Sequence, residues 1–159
     1  MRNTAHTNQE THNMTTTETN SAQTYSETIA DELRALEIVT AGAPYGYYDD
    51  RPDYDDDDAA AYRAALATLE IDYSQADDAL STYLNETALD LSILRNSTGR
   101  ARIEILRTCG GPRCEITRDT HYDGEQLTVT TWDTPNTASV TVWAPTLAAY
   151  LDEIAEATA

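Results

Sequence analysis

Seven of the ten positions from Asp49 to Asp58 are aspartate: Asp49, Asp50, Asp53, Asp55, Asp56, Asp57 and Asp58. Tyr45, Tyr47, Tyr48 and Tyr54 lie within or beside the run. Carboxylates at this density have three uses. They ligate a hard cation, present a negative field to a basic partner, or stand solvated and keep the chain soluble. Spacing tests the first. A calcium loop needs a glycine at its sixth position and a bidentate glutamate at its twelfth. Counted from Asp53 these positions hold Asp58 and Ala64, and counted from Asp49 they hold Tyr54 and Ala60. Both frames fail, so no dedicated metal site is expected. The second use has a geometric basis, because duplex DNA shows one charge per ~1.7 Å of axis. Carboxylates spaced along a loop and a helix start approximate that array and suit a Lys/Arg-lined groove. Asp72, Asp77, Asp78, Glu86 and Asp90 extend the acidic set. Tyr47, Tyr48 and Tyr54 are then the candidate anchors, since tyrosine contributes disproportionately to interface energy.

Other chemistry finds little support. Cys109 and Cys114 flank the turn Gly110-Gly111-Pro112-Arg113. They are placed to meet across a hairpin, but two reduced structural thiols are the favoured reading. Zinc wants about four ligands, and His6, His12 and His121 offer no suitable spacing. No Gly-x-Ser-x-Gly pattern is present, and only His121 falls in the expected folded body, so no catalytic residue and no cofactor is assigned. Paired carboxylates are unavoidable in so acidic a chain and point to no acid–base reaction. Arg95, Arg100, Arg102, Arg107, Arg113 and Arg118 are expected to pair with acids of the same chain. Trp132 and Trp143 are expected to pack on a sheet.

The chain of 159 residues has a net charge of −18 and contains no lysine. Residues 1–94 hold 19 acids against 4 arginines, whereas residues 95–159 hold 9 against 6. The acidic field therefore belongs to the N-terminal part. It opposes folding by self-repulsion, which a cationic partner, bound cations or a salt-rich surrounding would offset. Direct binding to nucleic acid is disfavoured because phosphate contacts need clustered Lys and Arg. Anionic membrane surfaces are disfavoured for the same reason. No apolar run approaches membrane-spanning length, and residues 1–24 lack the apolar core of a secretory signal, so a cytoplasmic place is expected.

The elements that must position these residues are legible in outline. Residues 1–24 are nearly devoid of apolar side chains and are expected to be disordered, leaving 25–159 as one acidic domain. A helix is expected from Glu27 to Ile38 with Ser26 as its cap, ended by Gly42 and Pro44. A second should run from Asp57 to Leu69, where the acids complement the positive helix start. A third is expected from Ser74, as cap, to Leu84. The period then changes to two. Leu89, Leu91 and Ile93 alternate with polar residues, as do Ile103 and Ile105, then Cys114 and Ile116, then Leu127, Val129 and Thr131, then Val140 and Val142. A last helix from Pro145 to Ala157 carries Leu147, Tyr150, Leu151 and Ile154 on one face. Helices, an antiparallel meander of four to five strands and a C-terminal helix make an α+β fold.

The segments Arg107–Ile116, Trp132–Thr137 and Leu147–Leu151 carry a resemblance. Their strand, Gly-Gly-Pro turn and strand, followed by a Trp-x-Thr-Pro turn, resemble a loose group of small acidic proteins from phages, plasmids and conjugative elements. Asp133 departs from the glycine usual in that second turn. The resemblance covers about the last half of the chain and rests on turns rather than catalytic groups. It implies a mobile-element context, where small acidic proteins inhibit host restriction or CRISPR systems. Acidity and resemblance together lead to one expectation. The chain is a non-enzymatic DNA mimic whose acidic loop and helix occupy the basic channel of a host nucleic-acid-binding protein or ribonucleoprotein complex. The sheet and last helix serve as scaffold or as a homodimer surface. The alternatives are a halophile-adapted accessory protein without a specific target, and a divalent-cation-binding module.

Overall fold

Ala22, Ser26, Ile29, Leu33 and Leu36 alternate spacings of four and three, which places them on one helix stripe. All are buried in helix α1, Ser21–Thr40. The computed structural model describes residues 21–44, 47, 57–108, 112–120 and 124–159. The expected start at Glu27 is corrected to Ser21, so residues 21–24 of the stretch read as disordered are helical. Ser26 is a buried member of the stripe, not a cap. Its hydroxyl lies 2.8 Å from Thr131 Oγ1 and 3.3 Å from the Ala138 carbonyl. Ala22 and Ser26 are small, and small residues let the helix approach the sheet closely enough for that contact. Gly42 follows the helix with φ +94°, and its N–H donates to the Val39 carbonyl. This left-handed position closes the helix end and favours glycine.

Helix α2, Asp57–Thr68, starts on the last two aspartates of the acidic run, as the helix dipole favours. The expected third helix divides into a 3-10 helix, Tyr73–Asp78, and α3, Ala79–Thr87. Its cap is Asp72, not Ser74. Asp72 Oδ1 accepts from the Ser74 N–H at 2.9 Å, while Gln75 Oε1 accepts from the Asp72 N–H at 2.9 Å. This reciprocal capping box fixes the chain entry.

Five strands follow: β1 Asp90–Arg95, β2 Ala101–Thr108, β3 Arg113–Asp119, β4 Gln126–Asp133 and β5 Asn136–Trp143. They form one antiparallel meander in sequence order. Helix α4, Pro145–Ala157, closes the chain. The architecture is the expected α+β arrangement, with the meander at its upper count of five.

One sheet face is covered. Ile103, Ile105, Ile116, Leu127, Val129 and Val142 point into the core, where α1 packs against β4 and β5 and α4 against β2 and β4. Helices α2 and α3 pack on α1. Residues one step out of phase line the other face, which no described helix covers. Leu91 is only half-buried because β1 is an edge strand.

Buried polar groups lock the layers. Arg107 of β2 and Tyr83 of α3 meet Glu32 of α1, with Arg107 Nη2 at 2.8 Å and the Tyr83 hydroxyl at 3.0 Å from Glu32 Oε2. Arg118 of β3 holds Asp152 of α4 through two bonds of 3.1 and 2.8 Å. The helix α4 start has no side-chain cap of its own. Glu37 of α1 supplies one, accepting from the Thr146 and Leu147 N–H groups at 3.0 and 3.1 Å.

Candidate functional site

Charge is distributed by layer. Among the described residues, segment 21–88 holds eleven acids against two arginines, and segment 90–143 holds six against six. The arginines of the sheet divide between the helices and the sheet itself. Arg107 and Arg118 are buried clamps, and Arg95 donates to the Ala155 carbonyl at the end of α4. On the uncovered face Arg113 and Arg102 flank Glu115, at 2.9 and 3.9 Å, and Arg102 also holds Glu104 at 2.8 Å. These pairs neutralise the sheet locally. Among the described residues of segment 21–88 the cations are Arg34 and Arg63, so the described outer surface of these helices is electronegative.

The expected binding residues separate into three groups. Tyr48, Asp49, Asp50, Asp53, Tyr54, Asp55 and Asp56 lie outside the described residues. Asp57, Asp58, Asp72, Asp77 and Asp78 are exposed on α2, the 3-10 helix and the chain between them. Asp72 also spends one carboxylate oxygen on its capping bond. Tyr47 is 5% exposed and packs inward. Its ring meets Tyr62 of α2 edge-on at 5.1 Å and Tyr73 of the 3-10 helix at 5.5 Å. Tyr62 and Tyr73 stand 6.5 Å apart at 68°. The three rings tie the chain before the acidic run, the helix after it and the 3-10 helix into one cluster. Tyr73 is the exposed member at 40%. It was absent from the expected set because Ile71-Asp72-Tyr73 reads as an ordinary inter-helix link.

Beside the cluster is a cavity of about 440 Å³, lined by Val39, Thr40, Gly42, Ala43, Tyr62, Tyr73, Ser74, Ala76, Asp77 and Leu80. No basic side chain is among these residues. The Tyr62 hydroxyl is held above its ordinary pKa, first by burial and then by the neighbouring Tyr73, Tyr47 and Asp77. All of these influences favour the neutral phenol, so the hydroxyl stays protonated beside the carboxylate at neutral pH.

A second concavity, of about 500 Å³, lies on the uncovered sheet face against Arg102, Thr117, Asp119, Gly124, Gln126, Thr128, Thr130 and Thr141. Trp132 and Trp143 belong to that face, at 38% and 62% exposure. They therefore sit on the solvent side of the sheet, Trp132 with the Arg113 guanidinium 5.6 Å from its ring. Cys114 is a buried free thiol, and Cys109 lies outside the described residues, as do His6, His12 and His121. Among the described residues no group of His, Cys, Asp and Glu is arranged to hold a metal ion. No described helix is long and apolar enough to cross a membrane. Comparisons with protein-family models, with curated proteins and with solved structures returned no match.

Proposed function

We propose that this chain is a non-enzymatic inhibitor that docks its acidic helical layer on a basic nucleic-acid-binding protein or complex and excludes the nucleic acid. The observation that carries the reading is the segregation of charge: among the described residues, segment 21–88, which forms α1 to α3, holds eleven acids against two arginines beside a balanced sheet. Random surface acidity would not leave one layer neutral. Carboxylates on two short helices and their link present a one-sided array, as a phosphate backbone does. The resemblance of the Gly-Gly-Pro hairpin and the Trp132–Thr137 turn to mobile-element proteins supports a host defence complex, of the restriction or CRISPR kind, as the target. The site of action is then the host cytoplasm.

Binding of this kind is fast and falls steeply with salt. The test is affinity capture on the immobilised protein from nuclease-treated host lysate, eluted with a salt gradient. A nucleic-acid-binding complex released at moderate salt is the expected result. No retained nucleic-acid-binding protein would count against the proposal.

A second reading is favoured by a separate observation, the use of arginine alone with no lysine in an acidic chain. It is adaptation to a salt-rich cytoplasm without a specific target. That reading expects the fold to be lost as salt is lowered, because screening would be what holds the acidic layer together.

A further inference from the structure

The cavity beside the tyrosine cluster has three features of independent origin. Tyr73 lines it, is 40% exposed, and its ring contacts those of Tyr47 and Tyr62. The Asp77 carboxylate lies on its wall. Val39 and Thr40, also on the wall, belong to the last turn of α1, where the helix dipole is negative and which itself contains no basic residue. An aromatic face, a carboxylate and a helix C-terminus each favour a cation, and here they converge on one space of about 440 Å³. Gly42, with its positive φ, also lines the cavity, and its N–H caps the Val39 carbonyl at the end of α1.

We propose that this cavity is a socket for a guanidinium group, the side chain of one arginine of the partner. The partner's identity rests on the docking proposed above, but the socket itself does not. A guanidinium is preferred over an ammonium on two grounds. Its plane stacks on the Tyr73 ring, and its paired N–H groups match a carboxylate, whereas an ammonium is a compact and strongly hydrated charge. The socket gives the diffuse acidic surface one point of registry. Tyr73 supplies the stacking surface, Asp77 supplies the fork acceptor, and Asp72 positions Tyr73 by capping the 3-10 helix at its first residue.

The probes are N-acetyl-arginine amide, its neutral citrulline counterpart and N-acetyl-lysine amide, titrated into the full chain and followed by NMR. Salt is set at about 0.5 M, where screening acts within roughly 4 Å and removes the diffuse field. The expected result is saturable shifts of the Tyr73 ring and the Gly42 and Ala76 amides, with arginine about five-fold or more tighter than either other probe. Asp77→Asn should weaken arginine binding, whereas Glu153→Gln, an equal change of charge on α4, should not. Tyr73→Leu should reduce the preference for arginine over citrulline, and Tyr73→Phe should keep it. Equal binding of arginine and citrulline, or equal effects of Asp77→Asn and Glu153→Gln, would overturn the socket. Equal binding of lysine would overturn the guanidinium assignment. These outcomes do not depend on whether a host complex is captured, so the socket and the docking surface fail separately.

Discussion

Glu32 accepts from two buried partners at once, the Arg107 guanidinium and the Tyr83 hydroxyl. The Arg107 side chain is 8% exposed, so removing its carboxylate leaves a charge with little water to receive it. Glu32→Ala is therefore expected to cost about 3 kcal/mol in urea denaturation. A loss below about 1 kcal/mol would mean that the cluster is solvated in solution. The Tyr83 phenol is pushed well above its ordinary value, chiefly by burial, with Arg107 pulling it back and Glu32 adding to the rise. A folded pKa above the unfolded value of about 10 means that the folded state retains the proton longer. The stabilisation is complete below pH ~10 and is lost as pH climbs toward the folded value. Unfolding midpoints should fall above that pH, and less steeply in Tyr83→Phe. Neither arginine clamp was legible individually. The sequence indicates that Arg107 and Arg118 find acids, but which acids depends on strand register against α1 and α4.

Helix α4 begins at Pro145 with an alanine before it and no side-chain cap. The missing acceptor comes from Glu37, more than a hundred residues earlier in the chain. Glu37→Ala should lower stability by about 1 kcal/mol. An unchanged denaturation midpoint would show that water caps the helix equally well. Within the sheet, Ile105 is 1% exposed in a strand paired on both sides, whereas Leu91 is half-buried at the edge. Ile105→Asp should abolish cooperative folding. Leu91→Asp should remain folded with a loss of about 1–3 kcal/mol. A reversed order would contradict the strand assignment. The strands were readable because alternation survives wherever one face is buried, and α2 was readable because its acids sit where the dipole wants them. The start of α1 was not, since Ala22 and Ser26 extend the stripe with little hydrophobicity. The 3-10 turn was missed because a segment of six residues has too few repeats to show a period.

Across the whole molecule the charge divides between two layers. The imbalance between the halves of the chain is visible in the sequence, but its placement on one side is a product of topology. Five consecutive strands form a single sheet, and the acidic helices must then stack together on its covered face. The tyrosine cluster is likewise a tertiary feature, because Tyr47, Tyr62 and Tyr73 share no periodic relation along the chain. If the acidic layer is a docking surface, its charge is needed for binding and not for folding. Asp57, Asp58, Asp77 and Asp78 can be changed to asparagine together, leaving Asp72 to cap the 3-10 helix. That variant should fold with stability close to the parent's, because relief of like-charge repulsion offsets the dipole interaction lost with Asp57 and Asp58. The decisive measurement is competition. Labelled duplex DNA or guide RNA bound to the captured basic complex is challenged with the parent protein and with the four-site variant. Displacement by the parent and at least about ten-fold weaker displacement by the folded variant, a difference of ~1.4 kcal/mol, is the expected result. Equal displacement by both, or none by either, would contradict the assignment of this face as the inhibitory surface.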